Sequence, residues 1–310
     1  MELAITLAQQ IFSMILMIFV GYLAVKKNIL TYEAGSVLST LTVYILCPCL
    51  IFSACQIDYS PDKLNGLLIG IAAAIAVHIL FIPLSRLIAR IFPMDELDRA
   101  SLIYSNSGNL IVPLIGAILG GEYVFYSSAY LAVQTILFWT HGIRLVTGEK
   151  GSIKKILLNP NIIATAVGIA FFLLPIKLPS LLEETVDKIG GTIGPISMFS
   201  IGIIMSSVPL KKAFTSLHAY LIVFLRLIVM PLIFVLCVFA SHLAALSPLT
   251  GKVMVATVLA AAGPTAVSIA QNTQIHGKEA AGAGMVNVMS TLLCVITMPL
   301  IILVYQLLCL

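Results

Sequence analysis

Ten apolar stretches, each near the roughly 20 residues that span a bilayer's hydrocarbon, follow one another along this chain. No connection between them is long enough for a soluble domain. They run approximately over 3–25, 35–55, 64–91, 101–119, 123–146, 162–176, 186–208, 219–243, 253–271 and 280–307. The sixth is short, and the seventh opens with Asp187-Lys188. Charged residues make up only 10% of the chain and apolar ones 60%. So few charges cannot clothe a soluble surface, and the pattern predicts an all-α membrane protein with ten transmembrane helices. The start, Met1-Glu2-Leu3, has no basic n-region of a signal peptide, so the first stretch is expected to remain as a span. Cys47, Cys49, Cys55, Cys237, Cys294 and Cys309 form no zinc-type pattern and read as small packing residues.

The net charge of +4 is explained by its distribution and calls for no nucleic-acid partner. Of the 17 lysines and arginines, twelve fall in the odd-numbered connections, four in the even-numbered ones, and Arg226 inside the eighth stretch. Basic residues in short loops stay cytoplasmic, which predicts both termini on the non-cytoplasmic side.

The two halves of the chain resemble each other. Pro48-Cys49-Leu50-Ile51-Phe52-Ser53 and Pro195-Ile196-Ser197-Met198-Phe199-Ser200 both read P-x-x-x-F-S, 147 residues apart. His78 stands five residues before Pro83-Leu84, and Arg226 five before Pro231-Leu232. The fourth and ninth stretches share a mid-span glycine and proline, in Gly108-Asn109-Leu110-Ile111-Val112-Pro113 and Gly263-Pro264-Thr265. Five spans is an odd number, so a second copy enters the membrane from the opposite face. The expectation is an inverted repeat, residues 1–146 and 159–310, with the fourth and ninth helices broken and crossed.

Backbone broken inside a bilayer survives only where protein or a wet cavity replaces the lost hydrogen bonds. Ser105-Asn106-Ser107-Gly108-Asn109 and Gly263-Pro264-Thr265 interrupt their apolar runs, with each proline expected in the first turn of a second half-helix. Two such helix starts, with free N–H groups and positive dipole ends, make an anion site. Asn106 and Asn109 supply amide donors there and Thr265 a hydroxyl; the competing reading is that Pro113 and Pro264 merely kink packed helices. Gln134 and Asn287 either complete the pocket or make interhelical hydrogen bonds. Arg226 either balances substrate charge or binds carbonyls freed by the breaks, and His78 either carries a proton or is structural. Ser53 and Ser200 read as packing residues. No acid falls in the core of any stretch, which argues against a carboxylate proton relay. Sodium, a proton or substrate protonation are the remaining coupling routes. No Walker, HExxH or GxSxG pattern is present, so neither an ATP-driven pump nor an enzyme is expected, and no cofactor.

Asn159-Pro160-Asn161-Ile162-Ile163, Gly263-Pro264-Thr265-Ala266 and Ser290-Thr291-Leu292-Leu293, the last followed by Pro299, resemble the auxin efflux carrier family. That family includes plant PIN carriers and bacterial malate or malonate permeases. The resemblance implies ten spans and two inverted five-span repeats. Spans 1, 2, 6 and 7 would form a dimerising scaffold, and spans 3–5 and 8–10 a mobile transport domain that carries an organic anion in an elevator movement. Asn109, Pro113, Pro264 and Gln134 match the family's substrate contacts. The chain departs from plant members in its short connection between the fifth and sixth spans and in having no acid in the third. The short connection and the basic termini of the spans favour a bacterial permease in the cell membrane. The alternatives are a sodium-coupled organic anion symporter of the bile-acid type and, further off, a channel or sensor.

Overall fold

The computed structural model describes residues 2–174, 176–208, 210–276 and 281–309, and these are almost entirely helical. In chain order the helices are α1 (Glu2–Lys26), α2 (Glu33–Ala54), α3 (Pro61–Ile91), α4 (Glu96–Ile103), α5 (Ser107–Leu119), α6 (121–147) and α7 (Ile153–Leu157). They continue with α8 (Pro160–Leu173), α9 (Ser180–Met205), α10 (Leu210–Ala213), α11 (Leu217–Ala240), α12 (Pro248–Ala262), α13 (Val267–Ile275) and α14 (Ala281–Cys309). Six of them, α1, α2, α3, α9, α11 and α14, are long and apolar enough to cross a membrane. Each of the ten expected stretches falls on helix, with the fourth split into α4 and α5 and the ninth into α12 and α13. The seventh starts earlier than expected, because Asp187 and Lys188 belong to an exposed first part of α9 that also carries Glu183 and Glu184. Residue 280, the expected start of the tenth, lies outside the described residues.

Short polar signals start the helices. Ser60-Pro61, Asn159-Pro160 and Ser247-Pro248 each place a capping side chain before a proline at the first helical position. Asp95 and Asp98 form a reciprocal capping box on α4. Three prolines follow a widened π-turn by two residues: Pro48 after Thr42–Leu46, Pro113 after Ser107–Ile111, and Pro231 after Leu225–Val229. A proline lacks an N–H and its ring presses on the carbonyl four residues back, and the wider turn relieves both problems. Pro83 and Pro299 sit in helices without such a turn, so proline alone does not dictate it.

Two sets of helix contacts frame the site, and α1 packs along α14 between them. In one, α1 lies along α9, and α2 packs on both α8 and α9. Glycine allows the first contact: a Cβ at Gly21 would stand 2.5 Å from the Phe199 carbonyl oxygen, and one at Gly202 would collide with the Ile18 carbonyl. Ser53 Oγ donates to Asp187 Oδ1 at 2.9 Å, and Ser200 Oγ to the Gly35 carbonyl at 2.8 Å. The two serines of the P-x-x-x-F-S repeat therefore each tie α2 to α9, the packing role expected of them. Just beyond, Lys177 beside Asp58 at 3.0 Å holds that exposed carboxyl below its ordinary pKa. In the other group, α3, α6, α11, α12 and α14 surround the break between α4 and α5 and that between α12 and α13. Gly202→Leu is expected to push α1 from α9 and lower stability by about 3 kcal/mol, read as an earlier thermal unfolding in detergent.

Candidate functional site at the crossing of two broken helices

The chain leaves the helix over residues 104–106 between α4 and α5, where Tyr104 is extended, and over 263–266 between α12 and α13, where Gly263 and Ala266 are extended. The two pieces lie antiparallel, bridged at Ser105 and Thr265. Asn106 N–H donates to the Pro264 carbonyl at 2.8 Å, and Ala266 N–H to that of Tyr104 at 3.0 Å. This minimal ladder satisfies backbone groups that a broken helix leaves open deep inside the protein.

Side chains from flanking helices satisfy the rest, in matching fashion. From α6, Gln134 Oε1 accepts from Ser105 N–H at 3.0 Å and from Ser105 Oγ at 2.9 Å, while its Nε2 donates to the Ser105 carbonyl at 2.8 Å. From α14, Asn287 Nδ2 donates to the Thr265 carbonyl at 2.6 Å, and Ser290 Oγ accepts from Thr265 N–H at 3.1 Å. Each break is thus held by polar side chains of the last long helix in its own half of the chain.

Arg226, 0% exposed, joins both breaks. Its Nε donates to the Gly263 carbonyl and its Nη1 to that of Leu102, each at 3.0 Å. These are terminal carbonyls of α12 and α4, the negative ends of two helix dipoles. Phe81 faces the guanidinium at 5.9 Å. Of the two readings of Arg226, the geometry matches the one in which it binds carbonyls freed by the breaks. His78 Nδ1 bonds the Ala74 carbonyl of its own helix at 2.8 Å, and its ring lies beside Tyr130 and Tyr104.

A cavity of ≈ 160 Å³ opens where α5 and α13 begin. Asn106, Asn109, Gln134, Thr135, Asn161 and Gln271 give it polar walls, and Tyr44 and Trp139 aromatic ones. No acidic residue lines it. Asn106 Nδ2 and Asn161 Oδ1 are buried without a partner, groups whose desolvation is uncompensated until something polar arrives. Next to it along α13, sharing Val267 and Gln271, a second cavity of ≈ 460 Å³ is lined also by Asn287 and Gln274. Gln271 Nε2 donates to Ser39 Oγ of α2 at 3.1 Å.

Against known sequences, a family described as "membrane transport protein" matches over residues 6–156 and 149–302, stretches that meet between α6 and α8. The chain belongs to that family. It is the auxin efflux carrier family that the sequence motifs resemble. No curated protein matches the chain. Together with its apolar helices, the match makes the chain a multi-pass membrane protein of a transporter family.

Of the residues singled out in this transporter's sequence, Asn106, Asn109 and Gln134 line the first cavity and Asn287 the second. Thr265, Gly263 and Pro264 lie behind, in the extended piece, with Gly263 packed on Ile111. The prolines do not begin the second half-helices. Pro264 stands three residues before α13, and Pro113 follows the π-turn inside α5. Arg226 and His78 line neither cavity. Tyr44 and Trp139 were not foreseen; the one available signal was that Trp139 is the chain's single tryptophan.

Proposed function

We propose that the protein is a secondary transporter of small organic anions, carboxylates such as malate, malonate or auxin-like acids, working by an elevator movement. The observation that carries this reading is the first cavity: two helix N-termini border it, amides line it, and no carboxylate does. N-terminal dipole ends and unshared N–H groups favour an anion without a fixed counter-charge, so the same site can release it again.

In this reading the chain is two inverted repeats of five spans, 1–146 and 159–310. The helices α1, α2, α8 and α9 form the scaffold through which two copies associate, and the remainder moves as one body. The bonding pattern supports that division. The crossing is stitched within the proposed moving body by Gln134, Asn287, Ser290 and Arg226. Among the described residues one side-chain hydrogen bond, Gln271 to Ser39, ties that body to the scaffold helices. The rest of that boundary, with α1 along α14, is packing contact between helices, and a boundary with so few directional bonds can slide. With the termini outside the cell membrane, as the basic connections indicate, both cavities are walled by residues on the cytoplasmic side, among them Asn159 and Tyr32. This state is then inward-facing.

Uptake of radiolabelled malonate, malate and indole-3-acetate into proteoliposomes, with sodium or potassium outside, tests the reading. Saturable uptake of at least one acid is expected. Asn109→Ala should weaken its apparent affinity roughly 10–100-fold, the range for a hydrogen bond to a charged group, with thermal stability unchanged. Uptake that rises linearly without saturating would indicate a channel, and no uptake of any acid would end the proposal.

A further inference from the structure

Beside the candidate cavity lies a second groove of ≈ 490 Å³, bounded by α2, α6 and the segment around α7. It shares Tyr44, Trp139 and Asn159 with the cavity, while Lys154 and Lys155 make its basic wall and no acidic residue lines it. Lys155 Nζ stands 5.3 Å over the Trp139 ring. The segment also exposes apolar side chains: Ile153, Leu157 and the groove-lining Leu158 are 73%, 64% and 63% exposed. Exposed aliphatic side chains next to lysines, with a tryptophan beneath, suit the depth where acyl chains meet headgroups. Val37, Leu41, Tyr44 and Ile45 of α2 wall an adjoining, mostly apolar groove of ≈ 380 Å³, through which an acyl chain can run.

We infer that the basic groove holds the phosphate of an anionic phospholipid, with Lys154 and Lys155 as its cationic partners, at the lip of the candidate transport cavity. A vestibule for soluble anions would use the same lysines, but it would have no use for three exposed aliphatic side chains or for the apolar groove alongside. The lipid also would touch Trp139 and Tyr44, walls common to both spaces, and so would set the width of the cavity's mouth. The inference does not depend on which acid is transported.

Because Trp139 is the only tryptophan, its fluorescence reports on this groove and on the cavity mouth that shares its wall. The protein is reconstituted in phosphatidylcholine vesicles containing a minor fraction of lipid brominated near the headgroup, either phosphatidylglycerol or phosphatidylcholine. Brominated phosphatidylglycerol is expected to quench Trp139 at much the lower mole fraction. Each lysine near an anionic surface is worth roughly fivefold in affinity, so the double variant Lys154→Gln, Lys155→Gln should erase most of a roughly 25-fold preference. The same change at Lys211 and Lys212, which do not line the groove, should keep it. In the wild type the preference should fall as salt is raised, a readout independent of how well the variant folds. Equal quenching by the two lipids, or a preference that survives the Lys154 and Lys155 changes, would overturn the inference. Displacement of brominated phosphatidylglycerol by dissolved malonate or inorganic phosphate would overturn it too, in favour of an open anion vestibule.

Discussion

Arg226→Met is expected to destabilise the whole transporter, and not simply to slow it. The substitution keeps the volume but leaves the Leu102 and Gly263 carbonyls, which the guanidinium now serves at 3.0 Å each, buried and without donors. Each orphaned carbonyl costs about 1–3 kcal/mol. Removing a buried charge with no acidic partner returns part of that, so a net loss of about 2–4 kcal/mol is expected, a large share of a typical 5–15 kcal/mol. Arg226→Lys should fall between the two, because an ammonium lacks the planar fork that reaches two carbonyls at once. Thermal unfolding of the purified variants in detergent checks the order. If Arg226→Met unfolds like the wild type yet binds no carboxylate, the guanidinium serves the substrate and not the crossing.

Gln134→Leu should lose both stability and transport. Gln134 makes three hydrogen bonds to Ser105, two of them to its backbone, and leucine of similar size replaces none of them. At about 1 kcal/mol for each bond the variant loses about 3 kcal/mol, and the extended piece that positions Asn106 and Asn109 is freed. Uptake should drop by roughly 100-fold or more, the outcome of losing preorganised donors. This separates Gln134 from Asn109, whose alanine variant should lose affinity at constant stability. A Gln134→Leu protein that transports normally would show that the amide merely fills space.

The contrast between these residues shows what a sequence reveals about such a molecule. The breaks themselves were legible, because polar and glycine residues inside an apolar run have few other uses in a bilayer. The matching serines of the two P-x-x-x-F-S motifs, Ser53 and Ser200, each bond the other's helix. The position of the prolines was not legible. Where a helix resumes depends on whether the chain adopts a π-turn, as at Ser107–Ile111, and no local pattern announces that. For Arg226 the sequence offered two readings but no partners, since the carbonyls it caps lie far away in the sequence at Leu102 and Gly263. Gln134 was recognisable as a buried amide needing a partner, but its target became definite only once the chain closed on itself. Tyr44 and Trp139 look like any interfacial aromatics until Asn161 and α5 are placed opposite them.

The central claim is that an anion sits where the two interrupted helices begin their second halves. A density map of the transporter, saturated with whichever acid the uptake panel singles out, addresses it directly. The account predicts carboxylate density within hydrogen-bond reach of Asn109 and the first amides of α5, walled by Tyr44 and Trp139. Density for the acid elsewhere, or a fourth or ninth helix that runs unbroken through the membrane, would contradict it.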